Sequence, residues 1–300
     1  MKIFGKNPDG MHHAGLSSSV NYKNGEFINQ SPTVMLAEDA SYLKLMGEFF
    51  KRKQDRVPKN ALPSLKSDVN LKRPGIGIHW FGHSSYLISI DGFKVLVDPV
   101  FSGYASPFSF GVRAFPGSDI YKPVDFESID LLILTHDHYD HLDYNTLLQL
   151  KGKVKQIVCS LGVSSHLLYW GFNEQIITEL DWWQDKKINN HLNLTATPAR
   201  HFSGRTFKRA QTLWSSFVLQ TSYGSIFIGG DSGYDSHFKE INKAFGDFVL
   251  AFLECGQYNE KWPMIHMAPE QTAEAALDLN AEIVVPVHWG KFALAYHPWN

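Results

Sequence analysis

Residues 131–143 read LLILTHDHYDHLD. Three histidines (His136, His138, His141) and two aspartates (Asp137, Asp140) fall within six positions, directly after an uncharged apolar run, and Asp143 follows. Imidazole and carboxylate are ligands for borderline metals such as zinc, iron and manganese. His136 and His138 are two apart, so an extended chain turns both to one side, whereas a helix would point them apart. Asp140 and His141 are adjacent, so the chain must turn after Tyr139 if both are to face one centre. A strand, then a turn, then a helix starting near Asp143 meets these conditions.

Three more apolar runs end in a ligand type. NLTATPAR leads to His201, SIFIGG to Asp231 and EIVVPV to His288. In a layered α/β fold, strand ends along one edge meet in a crevice where sites are commonly built. The elements that would carry them are legible. SYLISI-DG-FKVLVDP reads as a hairpin turning at Asp91-Gly92, and SSFVLQ-TSYG-SIFIGG as a second. Further strands are expected at 192–198, 247–253 and 281–287, and helices near 142–151 and 269–280, the latter with a proline at its start. Two sheets with helices outside is the packing this order favours.

Residues 1–74 differ in texture. They are polar and rich in Gly, Asn, Pro and Ser at first, with one helical pattern over 36–52 and a proline-punctuated basic linker after it. The division expected is an extension and linker at 1–74 and one hydrolase-sized domain at 75–300. The charge balance, 28 basic against 30 acidic residues, offers no field for a phosphate backbone, so no nucleic-acid partner is expected. The two cysteines, Cys159 and Cys255, make neither a disulfide framework nor a thiolate metal site. MKIFGKNPDGMHHAG holds no apolar run of signal-peptide length, and no run approaches eighteen apolar residues. A cytoplasmic protein is the expectation, with the basic linker as a candidate for peripheral contact with the inner face of a membrane.

His136-Asp137-His138-Tyr139-Asp140-His141 matches the H-x-H-x-D-H motif of the metallo-β-lactamase fold superfamily, and His201, Asp231 and His288 follow in that family's order. The likeness spans roughly 75–297. WFGHSSYLI (80–88), PARHFSGR (198–205), GGDSGY (229–234) and PVHWGKFALAYHPW (286–299) resemble, within the superfamily, the N-acylphosphatidylethanolamine-hydrolysing phospholipase D group and its bacterial relatives. The resemblance implies an α/β fold, a four-layer αββα sandwich, with two divalent metal ions at one edge. His136, His138 and His201 would hold the first, Asp140, His141 and His288 the second, and Asp231 would bridge them. Zinc is the expected metal, with manganese or iron accepted by the same ligands. Sequences of this group usually run on past the last shared motif, so either a truncated C-terminal end or a short form with one edge uncovered is expected.

Five neutral imidazoles and two carboxylates leave a net positive centre with two divalent ions, which favours a bound hydroxide and an anionic substrate. Asp140 and His266 are the candidate catalytic residues. His266, in WPMIHMAPEQ, resembles a histidine that the phospholipase-like group carries in an H-x-x-P-E context close to the metals, which implies that it protonates the leaving group or contacts the phosphate; the alternative is a loop histidine. Asp98, ending VLVDPV, either hydrogen-bonds a liganding histidine or simply makes the turn before Pro99. His83 is a turn residue or a substrate contact. Arg113 is a candidate for a phosphate oxygen. The aromatic loop 100–117 is a buried loop core, a subunit contact or an apolar wall for acyl chains. His12, His13, His166, His191 and His237 fit no constellation. The reaction expected is phosphodiester hydrolysis of an N-acylphosphatidylethanolamine-like phospholipid by a metal-bridging hydroxide. Its rivals are a lactonase or other carbonyl-ester hydrolase, and a non-catalytic metal-binding protein.

Overall fold

The computed structural model describes residues 1–9, 15–41, 45, 47 and 56–299. A short hairpin, β1 (Tyr22–Lys23) and β2 (Glu26–Phe27), precedes two six-stranded sheets. The first sheet contains β3 (Ile76–Trp80), β4 (Tyr86–Ile90), β5 (Phe93–Val97), β6 (Leu131–Leu134), β7 (Ile157–Ser160) and β8 (Ile177–Leu180), in that order. The second runs β14 (Val284–Val287), β13 (Phe248–Glu254), β12 (Gly224–Ile228), β11 (Ser216–Thr221), β10 (Asn193–Thr197), β9 (Asp185–Lys187). Each sheet is antiparallel at one side and parallel at the other, and each parallel part is reached through helices. The outer strand β9 is Asp-Lys-Lys, fully exposed, and its charges discourage edge-to-edge pairing.

Strand periodicity sets the layers. Tyr86, Ile88, Val95, Val97, Leu131 and Ile133 face inward and meet Leu194, Phe217, Ile226, Ile228 and Phe252 of the other sheet. Tyr86 stacks on Phe252 with ring centroids 4.0 Å apart. The alternate residues Leu87, Leu96, Leu132 and Leu134 face outward, against α1 (Tyr144–Leu150) and α2 (Ser164–Tyr169). On the other outer face, Val218, Phe227, Ala251 and Leu253 are covered by α3 (His237–Phe245) and α4 (Pro269–Asp278). The result is the αββα sandwich. The β4–β5 hairpin turns at Asp91 and Gly92, both with positive φ, as a two-residue primed turn requires.

The helix expected over 36–52 lies largely outside the described residues, as do His12, His13 and linker positions 51–55. Residues 36–41 make turns and bends instead. There the chain is pinned both to itself and to a distant loop: Ala40 N donates to Ala37 O at 2.9 Å, Ala37 N donates to Lys261 O at 2.9 Å, and Lys261 pairs with Asp39. Arg56 of the basic linker is buried, with its guanidinium over the Tyr296 ring. Residues 2–6 lie against α2, with Lys6 N donating to His166 and Trp170 Nε1 to Lys2 O, whereas residues 27–29 lie along the second sheet's loops. Phe27 N donates to Ala210 O, and Asn29 exchanges hydrogen bonds with the backbone of His201.

Candidate metal centre

Every residue of the centre leaves the end of a strand or the turn between two strands. β6 delivers Thr135 and then the 136–141 loop, which closes at Asp143, where the carboxylate caps α1 by accepting from Asn145 N at 3.1 Å. β5 delivers Asp98, β10 His201, β12 Asp231, β13 Glu254 and β14 His288. The β3–β4 turn delivers His83. Asp98, His83 and His288 all sit at positive φ (39°, 55° and 67°), a conformation that costs non-glycine residues about 1–3 kcal/mol. Backbone bonds enforce it: His288 N donates to His83 O at 3.0 Å, His83 N to Trp289 O at 2.7 Å, and Asp98 N to Ile133 O at 3.1 Å.

The tautomers follow from the partners. Thr135 Oγ1 donates to Asp98 Oδ2 at 2.5 Å, so His136 Nδ1 donates to Thr135 Oγ1 (3.0 Å) and its Nε2 is bare. His141 Nδ1 donates to Asp98 Oδ2 at 2.7 Å, His201 Nδ1 to Ile265 O at 2.9 Å, and His288 Nδ1 to Glu254 Oε2 at 3.1 Å. Each neutral ring therefore turns an unprotonated Nε2 inward. Those four nitrogens surround one oxygen, Asp231 Oδ2, at 3.8, 3.1, 3.6 and 3.3 Å for His136, His141, His201 and His288. Asp140 Oδ2 lies 3.4 Å from His288 Nε2 and 3.6 Å from His141 Nε2.

Lone pairs aimed at carboxylate oxygens in a buried site repel one another unless positive charge lies between them. His141 Nε2 and Asp231 Oδ1 are buried without a hydrogen-bond partner. The field of the carboxylates appears in the protonation equilibria. Burial pushes His288 down, but Asp231, Asp140 and Glu254 outweigh it and raise it to about 10. His141 is likewise driven well up against its burial by Asp231 and Asp140. His136, His138 and His201 go the other way, lowered first by burial, so protons do not settle that trio. Their nitrogens are 3.0 Å (His136 Nε2 to His138 Nδ1) and 3.3 Å (His201 Nε2 to His138 Nδ1) apart. Nitrogens at about 2.0–2.1 Å from a tetrahedral zinc ion stand roughly 3.3–3.4 Å apart. The donor set fits metal ions.

Among the described residues three ligand groups result: His136, His138, His201 and Asp231; His83, Asp140, His141 and His288; and Asp231, His266 and His288, the atoms of each within 4.8 Å of one another. Asp231 also reaches the second group, since its Oδ2 lies against His141 and His288. His83 is fully buried, and its Nε2 donates to Asp140 Oδ2 at 2.9 Å, so the structure places it behind the metal ligands and not against a substrate. Asp98, also fully buried, holds His141 and Thr135, as a residue that fixes a ligand's tautomer must. His266 faces the centre from the opposite side, its ring 4.9 Å from His201 and 5.1 Å from His288.

Arg113 is a correction. It is exposed, its Nε donates to Ser109 O at 3.2 Å, and its guanidinium lies over Tyr104, because the 104–113 segment closes on itself through a Tyr104–Arg113 bridge. It lines no part of the metal cavity. The 100–117 loop is not a wall of that cavity either. Phe101 and Phe115 are buried, and Phe108 and Phe110 stack on each other at the surface. His166 is also more than packing: fully buried, it donates to Asp137 Oδ2 at 3.1 Å and accepts from Lys6 N at 3.0 Å. His237 is buried against Ser232, whereas His191 is exposed.

The residue that sequence reasoning missed is Glu254. It is fully buried, and burial works to raise its pKa, but His266 and His288 outweigh that and hold it below the usual carboxylate range. Its signal was present: an apolar run ending in an acid, as at Asp98 and Asp231. The centre forms the floor of a cavity of about 530 Å³. The walls are apolar and come from remote parts of the chain, among them Leu36, Leu45, Phe202, Trp262, Leu294 and Tyr296.

Residues 94–289 match a family model described as a β-lactamase superfamily domain. An uncharacterized protein of Mycobacterium tuberculosis is 37% identical over 298 residues, covering 94% of this chain and 77% of that one. The mitochondrial N-acyl-phosphatidylethanolamine-hydrolyzing phospholipase D of Saccharomyces cerevisiae is 34% identical over 232 residues, 72% of this chain but about half (48%) of the yeast protein. Among solved structures, Igni18, a metallo hydrolase from Ignicoccus hospitalis, superposes with a TM-score of 0.55 at 21% identity, covering 71% of this chain and 82% of its own. With its sandwich fold and its histidine and aspartate cluster, this chain belongs to the metallo-β-lactamase superfamily, as a metal-dependent hydrolase of that fold.

Proposed function

We propose that this hydrolase cleaves the phosphodiester of an N-acylphosphatidylethanolamine-like phospholipid on the head-group side. One observation carries the reading: the ligand cluster, which two divalent ions would make net-cationic, forms the floor of an apolar cavity of about 530 Å³, the surroundings an anionic head group with acyl chains needs. The likeness to the yeast phospholipase supports the same substrate class.

His136, His138, His201 and Asp231 would hold one ion, and Asp140, His141 and His288, with His83 behind them, the other. Divalent ions there supply Lewis acidity and a nucleophile at neutral pH, with zinc the first candidate and manganese and iron compatible. Asp98 and His83 keep His141 and Asp140 oriented. His266 lines the cavity and donates a proton to the head-group oxygen as the P–O bond breaks; the proton lost by the attacking water returns to it through solvent. Arg209, on the cavity wall, is placed to meet a phosphate oxygen, the role first given to Arg113.

Peripheral contact with an anionic membrane fits the rim. Arg209 lines the cavity, and the two residues before it in the chain are Lys208 and the completely exposed Phe207, an apolar tip beside two cations. Among the described residues no helix is long and apolar enough to cross a membrane.

The test is a substrate panel on metal-loaded protein: N-acylphosphatidylethanolamine in anionic vesicles, a simple phosphodiester, a lactone and a carboxylic ester. Chelator-sensitive release of phosphatidic acid is the expected result. Turnover of only the carbonyl substrates would transfer the protein to the lactonase class, and metal binding without any turnover would make it a non-catalytic binder.

A further inference from the structure

The cavity contains two histidines with different tasks, and one carboxylate touches both. His266 Nδ1 donates to the Glu254 carboxylate, 3.1 Å from Oε1 and 3.2 Å from Oε2, and Oε2 also accepts from His288 Nδ1 at 3.1 Å. The same carboxylate takes the backbone N–H of Met267 (3.1 Å) and of Ser232 (3.3 Å), the residues that follow His266 and Asp231. It is itself clamped. Thr272 Oγ1 donates to Glu254 O at 2.9 Å, and in the parallel β13–β14 ladder Glu254 pairs with Val287, which brings His288 up beside it.

We infer that Glu254 is a positioning residue: through its two oxygens it fixes the leaving-group acid His266 at a set place relative to the metal ligand His288. Both rings present Nδ1–H to Glu254, so both turn Nε2 toward the cavity. For His288 that nitrogen faces Asp140 and Asp231, the metal side. His266 lines the cavity beside Asp231 and His288, so a leaving oxygen held at the centre would lie within its reach. A shift of either ring is passed to the other through one rigid, fully buried carboxylate. This inference rests on the phosphodiesterase reading for the task of His266, and on the geometry alone for the metal ligand.

The experiment compares wild type, Glu254→Gln, His266→Gln and the double variant. Each is measured for metal affinity by competition with a chelator, and at saturating metal for kcat on a phosphodiester with a nitrophenol leaving group and on one with an alkyl alcohol. Glu254→Gln keeps shape but removes the charge and puts an N–H donor in place of one of the two acceptor oxygens. Its metal affinity should fall about 10–100-fold, the usual effect of removing such a partner. Its kcat should fall far more on the alkyl substrate than on the nitrophenyl one, because only a poor leaving group needs an acid, an effect on the order of 10²-fold. The double variant should be no worse than His266→Gln on the alkyl substrate. Equal losses on both substrates, or unchanged metal affinity, overturn the inference. If His266→Gln shows no leaving-group split, the acid role of His266 fails instead. If wild type cleaves neither phosphodiester, the phosphodiesterase reading fails and Glu254 is judged by metal affinity alone. Should Glu254→Gln not fold, Glu254→Asp, which draws the carboxylate back by one methylene, is read in the same way.

Discussion

The floor and the walls of the cavity are built on opposite terms. The floor is made of strand ends, the outer nitrogens of His136, His141, His201 and His288 each have a fixed partner, and three residues are held at costly positive φ so that their side chains aim correctly. The walls come from the N-terminal extension, the 202–209 loop, the 257–266 loop and the segment around Leu294 and Tyr296, and they meet mainly through apolar contact. Hydrogen-bonded side chains on rigid elements hold reacting groups to a fraction of an ångström, whereas apolar loop surfaces adapt. The chemistry is therefore set by the floor and the choice of substrate by the walls.

This division can be broken from either side. The largest effect belongs to Asp231, whose Oδ2 is shared by four histidines. Asp231→Ala should lower kcat on the order of 10³-fold or more, the several kcal/mol a pair of metals supplies, while acyl-chain preference stays unchanged. A changed preference would mean that the floor also selects.

Next is a pH effect behind the floor. Burial pushes His237 down from 6.5 to about 4. The unfolded chain takes up a proton below pH 6.5 and the folded one does not until about 4, so this residue's share of stability is present above pH 6.5 and lost as pH falls toward 4. The loss is roughly 3 kcal/mol, at 1.36 kcal/mol per pH unit. Urea unfolding of chelated wild type and His237→Gln at pH 7 and pH 4.5 reads it. The variant should show the smaller decline, and parallel declines would remove His237 from the account.

Asp98→Asn should weaken metal binding about 10–100-fold by releasing the tautomer of His141, with little change in KM at saturating metal. Isothermal titration with zinc measures the first and steady-state kinetics the second. The smallest effect belongs to the walls. Affinity for a homologous acyl series should rise about fourfold per methylene, from roughly 0.8 kcal/mol each, until the cavity is filled. Trp262→Ala should flatten that series and raise KM for the long chains about tenfold, leaving kcat for the shortest unchanged.

The same contrast governs what the sequence disclosed. His136, His138, Asp140, His141, His201, Asp231 and His288 were visible because a strand buried on both faces reads as an unbroken apolar run, and a polar residue at its end stands out. Asp98 was visible on the same ground. Glu254 obeyed that rule too, but the apolar stretch AFLECG reads as plain buried core around Cys255, and nothing local says that His266 and His288 close on its carboxylate. The β4–β5 hairpin was legible from Asp91-Gly92, whose positive φ values only such residues take readily. The walls were not legible, since nothing local in Leu45, Trp262 or Leu294 says that they meet. Arg113 was misplaced for the same reason: a cation near aromatics has no direction until the loop's own bridge gives it one. Arg209, eight residues past His201, is the cation the fold brings to the cavity.

The account stands most directly on metal content. Protein stripped with chelator, then titrated with zinc while bound metal and phosphodiester hydrolysis are followed together, should take up two ions per chain, with activity absent before addition and returning as the sites fill. Wild-type protein that binds no ion tightly, or that hydrolyses its substrate equally well after stripping, would contradict it.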